Sequence, residues 1–118
     1  MGFVNERLKN HEWQTIDRER NIVLKRVGGG GPERSPDDFN LNIAGESVNF
    51  SANHKMVNLE KEKGYDLEWK VIVIYAPPHL KQEKIRLHGL ITEALEAYGF
   101  ASSRKNVKKL TVTFAPNV

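Results

Sequence analysis

Four groups of residues have types and spacings that could do chemistry, and each implies a different kind. The run Gly28-Gly29-Gly30-Gly31, with Arg34 beyond it, can adopt the backbone dihedrals that aim successive N–H groups at an anion. A phosphate cradle of this type carries Gly-Lys-Ser/Thr or the Gly-x-Gly-x-x-Gly register ahead of a helix, and the chain has neither. The next regular segment is strand-like, so the run reads as a loop between strands.

The second group is Lys81, Lys84 and Arg86, which with His79 and His88 load the first half of a helical segment against Glu83 alone. The second half carries Glu93 and Glu96 and no base. The helix dipole prefers the reverse, each exposed charge of the wrong sign near an end costing about 0.3–1 kcal/mol. A basic helix start beyond the carboxyl end of a strand is a common place for open α/β sheets to take an anion. These three cations are therefore candidates for phosphate or nucleic-acid contact.

Arg104, Lys105, Lys108 and Lys109 form the third group, beside a strand containing Phe114, and basic side chains next to an aromatic strand can contact phosphates. If the helix lies between this group and the previous one, about 30 Å separates them. One continuous nucleic-acid groove is not expected.

The fourth group is His11, His54, His79 and His88, none of which falls at the i, i+3 or i, i+4 spacing that places two metal ligands on one helical face. No metal site and no cofactor are expected. Asp37-Asp38 is a poor acid/base pair, because neighbours in an extended chain point apart. No Ser, His and carboxylate set can be assembled, so no catalytic residue is assigned. The chain has no cysteine, which excludes disulfides, thiolate catalysis and cysteine-ligated metals.

The elements that must position these residues are legible from periodicity. From Leu67 to Tyr75, Leu67, Trp69, Val71, Val73 and Tyr75 share one face, and Glu68, Lys70, Ile72 and Ile74 share the other. This predicts a central strand whose last half is apolar on both sides. Pro77-Pro78 ends it and suits a first helical turn. Leu80, Leu87, Leu90, Ile91, Ala94, Leu95 and Tyr98 recur at helical spacing, with Gly99 placed to cap the end. Lys109 to Ala115 alternates again, with Leu110, Val112 and Phe114 inward. Strand, helix and strand make a crossover, so the two strands should run parallel.

Before the crossover lies a meander. Phe39, Leu41 and Ile43 answer Val48, Phe50 and Ala52 across a turn at Ala44 to Ser47, and Ile22 to Val27 can pair with Trp13 to Ile16. Lys55 to Gly64 reads as a polar connection, and a short helix over Phe3 to Asn10 is an alternative to strand there. The expected architecture is α+β: a mixed sheet of an N-terminal meander plus a C-terminal β-α-β crossover, with one long amphipathic helix packed on one face.

At 118 residues with 39% hydrophobic and 28% charged, the chain has the size and balance of a single domain with one core. The net charge of +3 is concentrated late, residues 61 to 118 carrying ten Lys or Arg against six Asp or Glu. No apolar run has the length of a membrane span, and Met1 to Glu6 has no apolar export segment, so a soluble cytoplasmic protein is expected. With no catalytic motif and only loops and surface charge as distinctive features, the expected function is non-enzymatic binding of another protein. Nucleic acid or a phosphate ligand at the helix start is the alternative, and a small enzyme without a recognisable motif the third. Ile72 and Ile74 require cover, so homodimerisation is expected as well.

Overall fold

Alternating segments joined by turns too short for a crossover pair antiparallel, and a helix between two segments lets them pair parallel. The computed structural model, which describes residues 13–28, 36–60, 63–102 and 107–118, obeys this rule throughout. Strands β1 (Trp13–Asp17), β2 (Ile22–Gly28), β3 (Asp37–Ile43), β4 (Glu46–Glu60) and β5 (Gly64–Tyr75) form an antiparallel meander. Two helices, α1 (Pro78–Lys81) and α2 (Lys84–Ser102), lead to β6 (Val107–Phe114), which pairs parallel to β5. The strand order is the sequence order, so β1 and β6 are the edges. This is the α+β fold expected from the pattern, while residues 3 to 10, the proposed N-terminal helix, lie outside the described residues.

One face of the sheet is dry. Ile22, Leu24, Phe39, Leu41, Ile43, Val48, Phe50, Ala52, Leu67, Trp69 and Val71 are buried against Leu87, Leu90, Ile91, Ala94 and Leu95 of α2. Phe39 stacks on Phe50 with ring centres 5.2 Å apart and meets Trp69 and Tyr98 edge-on. The opposite face is polar, with Asn40 donating to Asn49 at 3.0 Å and Ser51 donating to Asp38 at 2.5 Å. The β3–β4 turn needs positive φ at both central residues, 51° at Ala44 and 92° at Gly45, and Asn42 Oδ1 accepts the Gly45 N–H at 2.9 Å.

The structure changes three sequence expectations. First, β5 does not keep its alternation. Ser51 faces Val73 and Ala52 faces Val71, which leaves Ile72 as an extra residue in a bulge. Past it the parity reverses: Ile74 pairs with Phe50 and packs against the core, whereas Tyr75 pairs with Asn49 and is 65% exposed. Ile74 is therefore partly covered within its own chain.

Second, Lys55 to Glu60 is strand, not connection. Gly64 to Asp66 extends β5 backwards, and with Leu67 and Glu68 it supplies the pairing partners, as in Val57 opposite Asp66 and Met56 opposite Leu67. Third, Gly99 does not cap the helix, which runs on to Ser102. It is the point of closest approach to the sheet: a Cβ there would lie 2.6 Å from Leu110 Cδ1, 3.0 Å from Leu67 Cδ2 and 3.3 Å from Trp69 Nε1.

Gly89, on the same helix, has open space around it. Gly99→Ala should lower unfolding stability by about 1 kcal/mol or more as overpacking outweighs helix propensity. Gly89→Ala should raise it by up to about 1 kcal/mol. Urea unfolding of the two variants reads the opposite signs.

Candidate functional site

The sequence candidates do not meet at one place. Lys81, Lys84 and Arg86 sit at the corner between α1 and α2, and Lys108 and Lys109 at the start of β6. Most of α2 lies between the two groups, about 24 Å of helix from Arg86 to Ser102. Gly28 ends β2 beside Asp38. Gly29, Gly30, Gly31, Arg34, Arg104 and Lys105 lie outside the described residues.

Lys108 is already engaged. Its ammonium donates to Glu60 at the end of β4, and that carboxylate raises its pKa. The corner is different: every residue from Lys81 to Arg86 is exposed, and Ile85 is 91% exposed. Pro77 and Pro78 start α1, and the Pro77 carbonyl accepts from both Leu80 and Lys81. Leu80 is buried and anchors the short helix. The chain then restarts at Glu83, whose carbonyl accepts the Leu87 N–H at 2.8 Å, so that Lys84, Ile85 and Arg86 form the first turn of α2 and point outward.

No acid lies in that turn, and no base lies in the last turn of α2, in keeping with the charge pattern of the sequence. The Glu83 carboxylate, just before the helix, lies 3.4 Å from Arg86. Around the corner, His79 Nε2 lies 2.5 Å from Glu46 Oε2 at the start of β4. His88 stacks on Phe114 with ring centres 3.9 Å apart and planes almost parallel. Burial of that ring, with Lys84 nearby, lowers the His88 pKa, against a smaller opposing effect of a hydrogen bond with the Val118 backbone.

A second constellation escaped the sequence reading. Asp37, at the start of β3, is buried on the helix-covered face, where Arg26 Nη2 reaches its Oδ1 at 3.3 Å and His54 Nδ1 lies 3.0 Å from its Oδ2. The His54 contact has ion-pair distance without hydrogen-bond alignment, since Nδ1 finds no aligned acceptor. His54 rests against Trp69 with ring centres 5.2 Å apart. Asp38, the neighbour of Asp37, faces the other way and is exposed, as an extended chain requires.

A carboxylate on one imidazole nitrogen is the arrangement of a general base, but a base must also reach a substrate. The sheet has a depression of about 280 Å³ bordered by Asn53, His54, Lys55, Glu68, Trp69, Lys70 and Thr113. Asn53, Lys55, Glu68, Lys70 and Thr113 project from the polar face, and Thr113 donates to the Trp69 carbonyl at 3.3 Å. The imidazole of His54 lies on the opposite face with Asp37. His54 is common to the cluster and the border of the depression, and its side chain is 25% exposed.

Comparison with family models, with curated proteins and with solved structures finds no match for the chain. Among the described residues, no helix is long and apolar enough to cross a membrane.

Removing one partner of a buried ion pair leaves an uncompensated charge, whereas replacing both with apolar groups does not. Arg26→Met should therefore destabilise the fold by about 3 kcal/mol, and the double variant R26M/D37L should recover most of that loss. Urea midpoints of the two variants and the parent provide the comparison.

Proposed function

We propose that this chain is a non-enzymatic protein-interaction module that docks through the α1–α2 corner onto an acidic surface with an apolar recess. The observation that carries the reading is Ile85, 91% exposed and flanked by the exposed cations Lys81, Lys84 and Arg86. A single exposed apolar residue is ordinary on a protein surface. Here it sits in a helical turn that also keeps cations where the helix dipole disfavours them, a small but repeated cost.

In an interface both features acquire a role. Seating an isoleucine in a pocket contributes about 1.5–3 kcal/mol, and complementary charge speeds encounter and fixes orientation. We place the module in the cytoplasm, where a chain without cysteine forgoes no disulfide.

The same three cations support a second reading, contact with the phosphates of a nucleic acid or a smaller ligand. Phosphate has no use for an isoleucine at the centre of the site, which favours the protein partner. The two readings separate experimentally. A partner captured on the wild-type chain and identified by mass spectrometry should bind I85D at least about tenfold more weakly by calorimetry. Its loss of affinity for K84E/R86E, relative to wild type, should be larger at low salt than at high salt. A partner indifferent to I85D contradicts the proposal. Salt-dependent oligonucleotide binding that is lost in K81A/K84A/R86A and kept in I85D establishes the phosphate reading instead.

A further inference from the structure

We propose that a second copy of this chain adds its β6 antiparallel to β6 along the open edge of the sheet, with Val112 on the two-fold axis. The two edges of the sheet are unlike. The β1 edge is five residues long, bulged between Thr15 and Asp17, and followed by the charged turn Arg18-Glu19-Arg20. Short length, bulges and charge are the devices that stop an edge from pairing with another strand. The β6 edge is eight residues long, and from Leu110 to Phe114 it has no charge, no proline and no bulge.

The backbone of this stretch is set for pairing. The Ala115 N–H donates to the Val71 carbonyl at 2.8 Å, and β6 stays in register with β5 from Leu110 to Phe114. Alternation then turns the N–H and C=O groups of Thr111 and Thr113 toward β5 and those of Leu110, Val112 and Phe114 away from it. Among the described residues these outward groups have no backbone partner. The Leu110, Val112 and Phe114 side chains are only partly buried where they pack against the core.

A second β6 running antiparallel, with Val112 opposite Val112 of the other copy, completes both requirements. Leu110 then faces Phe114 of the second copy, and about six N–H to O=C bonds form. The partly covered apolar row of each strand meets its counterpart on the helix-covered face, because directly opposed residues share a face. Thr111 faces Thr113 on the polar side.

Charge selects this register over its neighbours. With Val112 on the axis, Lys108 and Lys109 lie opposite Pro116 and Ala115, at the two far ends of the ladder. Centring on Leu110 brings Lys108 and Lys109 opposite Val112 and Thr111 and draws the two lysine pairs together, and like charges across a ladder repel. Centring on Phe114 moves Pro116 into the ladder, where it has no N–H to give.

Sedimentation velocity of the full chain up to about 100 μM should show a dimer. T111K/T113K opposes introduced lysines across the axis and should raise the dissociation constant at least about tenfold while leaving the far-ultraviolet circular dichroism unchanged. T111E/T113K, in which each introduced carboxylate faces an introduced ammonium of the other copy, should dimerise again. A monomer at the highest concentration overturns the proposal, as does a dimer that T111K/T113K leaves intact. I85D should dimerise like wild type, so failure at this edge is distinct from failure at the helical corner.

Discussion

Between Val71 and Val73, β5 carries one more residue than the strand opposite, and that residue reverses the faces taken by everything after it. The reversal matters because a six-stranded sheet has two faces and this chain has one long helix to cover them. Without the bulge, Ile74 would turn to the polar face and Tyr75 toward the core. With it, Ile74 joins Phe50 under the helix and Tyr75 goes out beside Asn49. Phe39, Phe50, Trp69, Val71 and Ile74 thereby share one face, packed with the apolar residues of α2.

That one-sidedness decides where function can sit. The covered face is filled by side chains, and at its margin Arg26 and His54 both lie against Asp37, with His54 resting on Trp69. Among the described residues two margins stand out: the corner where α1 gives way to α2, and the edge where β6 pairs with β5 alone. The corner presents charge and an apolar side chain together, while the edge presents backbone groups. The two proposals give them different occupants, an acidic partner protein and a second copy of the chain.

Much of this was legible in the sequence because burial imposes a period. Phe39, Leu41 and Ile43 against Val48, Phe50 and Ala52 announced the hairpin, and Leu87 to Leu95 announced the helix, since one face of each had to be apolar. The charge reversal of α2 could also be read directly, and the structure has no acid in its first turn. The bulge at Ile72 was invisible, because an extra β-branched residue inside a run of β-branched residues leaves no local mark. The role of Gly99 was hidden for another reason: a glycine near a helix end is suited to a cap, and only the distance to Leu110 and Trp69 shows that it admits the sheet instead. The cluster at Asp37 needed the β2–β3 and β3–β4 registers, which bring together residues 11 apart in the Arg26 pair and more distant still in the His54 pair.

The face reversal in β5 can be measured directly, because the chain has no cysteine of its own. Single variants Ile74→Cys and Tyr75→Cys report side-chain exposure through their rate of reaction with a soluble thiol reagent under native conditions. The expected result is rapid labelling at position 75 and strong protection at position 74. The reverse order, rapid at 74 and protected at 75, is what unbroken alternation from Trp69 would give, and it would contradict the one-sided sheet on which the rest depends.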